Sequence, residues 1–146
     1  MRAKLKRQVL IGMGSNIEPE RHLCAAAAAI RERFPDAVFS SVYCSVAVGM
    51  DNAADFLNAC CLIDTVMEPA RLNAWLKQLE DAHGRDRSQG SWKPRTLDLD
   101  VLMRGDEVVD DDLYRYAYVY IPAGELVELS SPVDTAGELR SVSLRL

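Results

Sequence analysis

Two prolines, each followed by apolar residues at helical spacing, constrain the fold of this chain most strongly. Proline is favoured in the first turn of a helix, so Pro19 and Pro69 predict two helix starts. The apolar residues after each proline recur at steps of three and four and therefore share one helical face. They are Leu23, Ala27, Ile30 and Phe34 in the first helix and Leu72, Trp75, Leu76 and Leu79 in the second. We expect the first helix to end before Pro35 and the second to end at Gly84.

Runs of strand-forming residues surround both helices. Residues 7–14 form an apolar run that ends in glycines, as expected for a buried first strand. Residues 37–48 and 55–64 predict an antiparallel pair, and residues 96–103 predict a strand after the second helix. This order is typical of a ferredoxin-like (βαββαβ) α+β fold, in which two helices cover one face of an antiparallel sheet. The opposite face is then free to form a site.

The carboxyl-terminal part predicts shorter elements. Gly105-Asp106, placed before Val108-Val109, predicts a hairpin. Residues 117–121 predict one more strand, and Pro122 is expected to open a short helix that runs through Leu129. Alternation at Val142, Leu144 and Leu146 predicts a terminal edge strand.

Length and composition limit the possible classes of protein. A chain of 146 residues predicts one domain, residues 1–146, and a hydrophobic content of 49% is sufficient for one core. No stretch reaches the ~18 apolar residues of a membrane span, so neither a membrane anchor nor a signal peptide is expected. The net charge of −5 argues against binding of nucleic acid, which depends on many Lys and Arg residues.

The cysteines and histidines predict structural roles. No C-x-x-C spacing occurs among Cys24, Cys44, Cys60 and Cys61, which indicates free thiols in a reducing cytoplasm and no zinc site. Cys60 and Cys61 are adjacent and should point to opposite strand faces. His22 and His83 lie on the predicted helices, where we expect them to be surface or packing residues.

A glycine motif follows the first strand-like run. Gly12-Met13-Gly14-Ser15 lacks the third glycine of a dinucleotide fingerprint and the lysine of a P-loop. We therefore expect it to be a strand-end turn.

Residues 95–100 present two carboxylates on one strand face. Residues two apart in a strand project from the same side, roughly 6.5–7 Å apart at ~3.3 Å per residue, so Asp98 and Asp100 share a face. The opposite face carries Leu97, Leu99 and Val101. Mg²⁺ commonly takes one or two hard carboxylate donors from a protein, so the pair is a candidate Mg²⁺ site. Alternating acids are also ordinary on a solvent-exposed strand face.

A polar loop precedes this strand. Residues 85–95 contain glycine and proline but no aliphatic residue, and they carry four cationic side chains against one acidic side chain. The guanidinium groups of Arg85, Arg87 and Arg95 are planar donors suited to phosphate, and Trp92 is a candidate stacking lid. Taken alone, such a segment is more often a solvated charged loop.

An amide lies inside a predicted strand, where asparagine is depleted. In the predicted strand over residues 55–64, alternation places Phe56 and Asn58 on the face opposite the apolar side chains. An aromatic ring beside an amide indicates a pocket for a flat heterocycle. A strand-end Asn satisfied by the backbone is the alternative.

Four pieces of the chain together resemble a known family. They are Gly14-Ser15-Asn16, Asp55-Phe56-Leu57-Asn58-Ala59, Gly84-Arg85-Asp86-Arg87 and Trp92-Lys93-Pro94-Arg95-Thr96-Leu97-Asp98-Leu99-Asp100. In this order they resemble 6-hydroxymethyl-7,8-dihydropterin pyrophosphokinase of folate biosynthesis, from about Val9 to Leu129. The resemblance implies a ferredoxin-like fold and transfer of the β,γ-diphosphate of ATP to the pterin hydroxymethyl oxygen, with two Mg²⁺ ions.

The resemblance also implies roles for individual residues. Asp98 and Asp100 would hold the metal ions and, with Arg85 and Arg95, form the catalytic group. ATP would be bound by Glu80, Arg85, Arg87 and Arg95. The substrate 6-hydroxymethyl-7,8-dihydropterin would be bound by Ser45, Val48, Phe56, Asn58, Trp92 and Tyr118. We expect a cytoplasmic monomer or weak homodimer.

The chain departs from this family at several positions. The family has a Pro-His segment and then an Arg after its acidic hairpin, whereas here Asp110-Asp111-Asp112 runs directly into Leu113-Tyr114-Arg115-Tyr116. Ser91 replaces a loop Arg, Lys93 replaces a Gly, and residues 44–47 are altered. Two alternatives follow: a weakly active or non-catalytic relative that binds pterin or nucleotide, and transfer to a different heterocyclic alcohol.

Overall fold

The computed structural model describes residues 7–45, 55–84, 96–130 and 139–146, which are built on one antiparallel sheet. Its strands are β1 (Gln8–Ser15), β2 (Val38–Phe39), β3 (Val42–Ser45), β4 (Phe56–Asp64), β5 (Asp98–Arg104), β6 (Glu107–Val108) and β7 (Leu139–Val142). The strand order is β6-β5-β1-β4-β3-β7, and β2 pairs with β4 beside β3. The helices are α1 (Pro19–Arg33), α2 (Pro69–Ala82) and α3 (Ala117–Gly124), with a 3₁₀ helix at Asp111–Tyr114. The predicted α+β class is confirmed.

Helices α1 and α2 pack against one face of the sheet, as predicted. Each begins at its proline, and their buried faces include Leu23, Ile30, Leu72 and Leu76. The strands contribute alternate aliphatic residues to the same core, including Val9, Ile11, Ala59, Ile63, Leu99 and Val101. Burying a side chain of this kind stabilises the fold by about 1.5–3 kcal/mol. This face of the sheet is therefore the principal source of stability.

The two histidines join the helices, in agreement with the packing role predicted for them. Nδ1 of His22 on α1 lies 2.6 Å from Nδ1 of His83, which caps the carboxyl end of α2. Partial burial, the His22 ring and Arg21 lower the pKa of His83. The neutral form of His83 is thus favoured in the folded protein.

The opposite face is partly covered, which corrects two predictions. Residues 117–121 form part of helix α3 rather than a strand, and Pro122 lies inside that helix rather than opening one. The tyrosines and branched residues of this segment favour a strand, but Ala117, Pro122 and Ala123 become buried when the segment is helical. Packing against the sheet therefore overrides local propensity. The contacts between α3 and the sheet form a second hydrophobic cluster, to which the sheet contributes Leu10, Cys60, Leu102 and Met103.

The remaining strands agree with the predicted pattern, with shifted bounds. Ser40 interrupts the segment predicted as one strand, because its hydroxyl accepts a hydrogen bond from the Cys60 N–H at 2.8 Å. The hairpin of β5 and β6 is confirmed. Strand β7 occupies the edge beside β3, but it ends at Val142, before Leu144 and Leu146. No helix in the described part of the chain is long and apolar enough to cross a membrane.

Candidate functional site

A cavity of about 760 Å³ lies mainly over the sheet face opposite α1 and α2 and also reaches residues of α2. Strands β1, β4 and β5 form its floor, while residues of α2 and of the segment from Asp110 to Val119 form its walls. This volume lies in the range of ~300–1,000 Å³ typical of small-molecule sites. The cavity therefore has room for a ligand of the size of a nucleotide or heterocycle.

Two glycines in β1 leave the centre of the floor open. Gly12 and Gly14 belong to the strand and not to a turn, so the predicted strand-end turn is wrong. A Cβ atom on Gly12 would lie 3.2 Å from Cδ1 of Leu102, and a Cβ atom on Gly14 would lie 3.5 Å from Oδ1 of Asn58. Side chains at these positions would occupy the space between the neighbouring strands. The glycines thus separate two groups of polar residues without filling the cavity.

The register of the sheet places an amide and a carboxylate on either side of Gly14. Gly14 pairs with Asn58 on β4 and with Asp98 on β5. Gly12 pairs in the same way with Asp100 on β5. Adjacent strands lie about 4.8 Å apart, so Asn58 and Asp98 are separated by two strand spacings, about 10 Å. A ligand that lies across β1 can therefore contact both.

Asp98 and Asp100 both line the cavity, as the alternation of β5 predicts. The alternate residues Leu97, Leu99 and Val101 lie in the core beneath α1 and α2. Asp98 is half-buried and Asp100 is exposed. No group of three or more His, Cys, Asp or Glu residues within the described ranges is placed to hold a metal ion. The donor set fits Mg²⁺, which commonly takes only one or two carboxylates from a protein and completes its shell with water and phosphate.

Glu80 lies on the wall of the cavity beside this pair. Glu80 is only 3% exposed, although it is a charged residue of α2. Its Oε2 accepts a hydrogen bond from the backbone N–H of Leu99 at 2.7 Å. The contact was not predictable from helix periodicity, which assigns buried positions to apolar residues.

A β-bulge in β5 brings an acidic segment to the cavity. Leu10 pairs with Met103 and Ile11 with Val101, so Leu102 is an extra residue in β5. The Leu102 carbonyl accepts hydrogen bonds from the N–H groups of Val109 and Asp110. The bulge therefore fixes the start of the segment that follows the hairpin.

That segment carries carboxylates at the mouth of the cavity. Asp110 Oδ1 accepts a hydrogen bond from the Asp112 N–H at 3.0 Å and caps the 3₁₀ helix. Partial burial, Asp110 and Asp111 raise the pKa of Asp112, while Arg115 opposes this effect. Asp110 and Asp112 thus add to the negative charge around Asp98 and Asp100.

The amide of Asn58 is oriented by a neighbouring hydroxyl. Asn58 and Ser45 are both buried, and Asn58 Nδ2 donates a hydrogen bond to Ser45 Oγ at 2.7 Å. Phe56 lies on the same face and also lines the cavity. The arrangement agrees with the alternation predicted for this strand, in which Leu57, Ala59 and Cys61 lie in the opposite core.

Two tyrosines on the opposite wall stack on each other. The rings of Tyr116 and Tyr118 are 5.2 Å apart at an angle of 18°. Burial, together with Asp112, Tyr116, Asp98 and Asp100, raises the pKa of Tyr118 to about 12. Tyr118 is therefore neutral at physiological pH and presents an uncharged aromatic surface to the cavity.

A cysteine also lines the cavity but is not suited to nucleophilic catalysis. Cys60 points to this face and Cys61 to the helical core, as predicted. Burial, Cys61 and Glu125 raise the pKa of the Cys60 thiol far above neutrality. Because only the thiolate is a strong nucleophile, Cys60 remains unreactive.

Comparison with known proteins identifies the family. The family model described as 7,8-dihydro-6-hydroxymethylpterin-pyrophosphokinase (HPPK) matches residues 10–128, from the third residue of β1 to beyond the end of α3. The chain belongs to the HPPK family. The predicted resemblance is therefore confirmed.

Curated relatives match most of the chain. A 2-amino-4-hydroxy-6-hydroxymethyldihydropteridine pyrophosphokinase of Pseudomonas aeruginosa is 31% identical over 137 residues, covering 92% of this chain and 83% of its own. Relatives with the same name occur in Bacillus subtilis, 30% identical over 93% of this chain and 87% of the relative, and in Haemophilus influenzae, 32% identical over 80% and 79%.

Several residues assigned by the HPPK resemblance lie outside the described residues. These are Val48, Arg85, Arg87, Trp92 and Arg95. Of the other assigned residues, the cavity is lined by Ser45, Phe56, Asn58, Glu80, Asp98, Asp100 and Tyr118. The structure thus brings these seven residues together, while their roles toward ligands remain predictions.

Sequence reasoning missed several other residues of the cavity wall, among them Lys77, Tyr116 and Asp112. Lys77 lines the cavity from the exposed side of α2, and Tyr116 and Asp112 line it from the segment around α3. Lys77 lies three residues before Glu80, so helical spacing could have placed both on one face. Tyr116 and Asp112 carried no comparable signal, because the predicted strand at residues 117–121 gave this segment a different course.

Proposed function

We propose that this chain transfers the β,γ-diphosphate of ATP to the hydroxyl group of 6-hydroxymethyl-7,8-dihydropterin, a step of folate biosynthesis. The family match and the names of the curated relatives support this activity. The structural observation that carries it is the row Asn58, Gly14 and Asp98 across β4, β1 and β5. The row offers an amide for the heterocycle and a carboxylate for a metal-bound phosphate within one cavity.

The heterocycle is expected to bind at the β4 side of the cavity. Because Asn58 Nδ2 already donates to Ser45 Oγ, its Oδ1 is the atom available to accept a hydrogen bond from a pterin N–H group. Phe56 and the neutral ring of Tyr118 are suited to pack against a flat ring. The resemblance adds Val48 and Trp92 to this subsite.

The nucleotide is expected to bind at the β5 side. Asp98 and Asp100 would hold Mg²⁺, two ions by the family resemblance, which would neutralise charge on the phosphates when bound. Arg85, Arg87 and Arg95 are expected to contribute charge-assisted hydrogen bonds to phosphate, and Glu80 is expected near the ATP sugar. Lys77 adds a cationic side chain on the same wall.

The chemistry requires positioning rather than a protein nucleophile. The pterin hydroxyl oxygen forms a bond to the β-phosphorus, the bond between that phosphorus and the oxygen bridging to the α-phosphate breaks, and AMP leaves with the bridging oxygen. The hydroxyl proton is released. Holding the two substrates in line supplies most of the catalysis in reactions of this type. The protonated, buried Cys60 is consistent with a mechanism that has no covalent intermediate.

The activity is tested by incubating the protein with ATP, Mg²⁺ and the reduced pterin. We expect AMP and the pterin diphosphate in equal amounts, and no AMP when the pterin or the metal is omitted. Release of ADP, or binding of both ligands without any product, would overturn the proposal.

Reduced activity, or binding without catalysis, is the second candidate function. Asp110 caps the 3₁₀ helix Asp111–Tyr114, which leads into α3. By the resemblance, the family has a Pro-His segment and an Arg in this region. Each missing charge-assisted contact to phosphate is worth about 1.5–3 kcal/mol. Titration calorimetry with the pterin and a non-hydrolysable ATP analogue distinguishes the candidates, because the enzyme requires metal-dependent binding of the triphosphate.

Transfer to another heterocyclic alcohol is a variant of the same chemistry, suggested by the altered residues 44–47. A panel of alcohols would support it if the folate precursor were inert and another acceptor were converted.

The remaining properties that we propose concern the cellular context. Cys24, Cys44, Cys60 and Cys61 are free thiols, which fits a reducing cytoplasm. We also propose that the chain forms a single domain and functions as a monomer or weak homodimer. Cell fractionation tests the cytoplasmic location, and analytical sedimentation tests the oligomeric state.

A further inference from the structure

We propose that Glu80 is a positioning residue that fixes the orientation of the two aspartates on β5. The inference rests on the proposed function, because it concerns the carboxylates assigned to the metal. It differs from a contact with the ATP sugar, since it concerns a hydrogen bond between Glu80 and the protein backbone. The observation that carries it is the hydrogen bond from Leu99 N–H to Glu80 Oε2 at 2.7 Å.

The hydrogen bond replaces a missing strand neighbour. Strand β6 pairs with β5 only at Met103 and Arg104, so within the described residues the outer edge of β5 has no strand partner at Leu99. An edge N–H group that is buried without an acceptor costs free energy. The carboxylate of Glu80 supplies this acceptor from α2, and a hydrogen bond to a charged group is stronger than one to a neutral group.

The position of the hydrogen bond determines its effect on the site. Leu99 lies directly between Asp98 and Asp100, and its side chain is 5% exposed in the helical core. Successive side chains leave a strand on opposite faces, so a rotation of the strand at Leu99 would move both carboxylates together. Glu80 from one side and the core from the other restrict this rotation.

A buried glutamate is otherwise an unfavourable residue at this position of the helix. Glu80 follows Leu72 and Leu76 at steps of four and lies on the same buried stripe. An apolar residue there would bury apolar surface without the desolvation cost of a carboxylate. The hydrogen bond to the Leu99 N–H of β5 offsets part of this desolvation cost.

The test compares four variants with the wild-type protein. Glu80→Gln retains an oxygen that can accept the hydrogen bond, Glu80→Ala removes it, and Glu80→Met removes it while keeping the side-chain volume, in case the alanine variant does not fold. Leu72→Ala, on the same helix and fully buried, is the control for a general loss of stability.

Two measurements are made on each variant. The first is the proton shift and exchange rate of the Leu99 amide in the metal-free protein. The second is the Mg²⁺ midpoint for binding of a non-hydrolysable ATP analogue. Residues that orient metal ligands typically affect metal affinity about 10–100-fold, so we expect shifts of this size in Glu80→Ala and Glu80→Met. We expect the midpoint of Glu80→Gln to be lower than those of Glu80→Ala and Glu80→Met, because only Gln retains the acceptor, and that of Leu72→Ala to be unaffected.

Each outcome supports or contradicts the proposal. Faster exchange at Leu99 together with the raised midpoint in Glu80→Ala or Glu80→Met, and rescue of both by Glu80→Gln, would support it. An unchanged midpoint in the variants lacking the acceptor, or a Glu80→Gln midpoint as weak as theirs, would overturn it. A wild-type protein that binds no Mg²⁺-nucleotide would contradict the proposed function itself and is therefore distinguishable from a failure of this inference alone.

Discussion

The two faces of the sheet differ in how they are filled. The face beneath α1 and α2 is packed with aliphatic residues such as Ile11, Leu72 and Leu99. On the opposite face, α3 covers one part, while glycines, amides and carboxylates line the remaining cavity. Alternation along the same strands supplies both faces, so a single residue step separates a core position from a site position. We infer that substitutions on the first face act mainly on stability and those on the second mainly on function.

The largest expected effect concerns the carboxylates of the cavity face. Asp98→Asn and Asp100→Asn should each lower turnover by about a thousandfold, because metal-assisted charge stabilisation is worth several kcal/mol and ~1.4 kcal/mol corresponds to tenfold in rate. Asp106→Asn, in the turn between β5 and β6, is the matched control. Turnover close to that of the wild type in either variant would remove these aspartates from the proposed mechanism.

The next effect tests the helical face. Leu72→Ala removes a fully buried side chain and should lower the free energy of unfolding by about 2–5 kcal/mol. Urea unfolding measures this loss, and Val66→Ala is the control because Val66 is 79% exposed. The activity per folded molecule should remain near the wild-type value. A stable variant that had lost activity would contradict the separation of the two faces.

A smaller effect concerns the heterocycle subsite. Asn58→Ala leaves the ligand groups unpaired at a cost of about 1–3 kcal/mol, so the Kd for the pterin should rise about 10–100-fold. Affinity for the ATP analogue should hardly change, as measured by calorimetry on the same sample. Equal losses of affinity for both ligands would indicate a general disturbance of the sheet. Ser143→Ala, which lies after β7, is the control for handling of the protein.

The smallest effect concerns the attachment of α3. Glu125 accepts hydrogen bonds from Tyr43 OH at 2.6 Å and from the N–H and hydroxyl of Ser41 at 3.0 and 2.9 Å. Because Glu125 is exposed, we expect Glu125→Gln to cost about 1 kcal/mol or less of unfolding free energy. Glu128→Gln, three residues later and also exposed, is the control.

The same contacts predict a pH dependence. Partial burial raises the pKa of Glu125, but the hydrogen bonds from Tyr43 and Ser41 outweigh it and lower the pKa from its ordinary value of 4.5. The carboxylate therefore stabilises the fold fully above pH 4.5, and this contribution is lost as the pH falls through the lowered value. The stability difference between wild type and Glu125→Gln should shrink in acid. A difference that is constant with pH would contradict this assignment.

The helical face could be predicted from the sequence because its signals are local. Pro19 and Pro69 indicated the helix starts, and the spacing of their apolar residues indicated the buried faces. The alternation at Asp98 and Asn58 likewise placed these residues on the face of the cavity. In each case the pattern within one element was sufficient.

The course of the chain around the cavity depended on contacts between elements. The segment from Ala117 became a helix because it packs on the sheet, and the extra residue Leu102 has no signature in the sequence. Gly12 and Gly14 suggested a turn, although they lie within β1. There they leave space between Asn58 on β4 and the two aspartates on β5. Propensity could not reveal these features, because each is determined by a neighbour distant in sequence.

The most direct test of the account is a map of amide chemical shifts on adding Mg²⁺ with a non-hydrolysable ATP analogue, followed by the pterin. We predict that the largest changes occur at Gly12, Gly14 and Leu99 around the cavity, and that Leu23 and Ile30 of α1 change little. Largest changes on α1, or no change that requires the metal, would contradict the placement of the site on this face of the sheet.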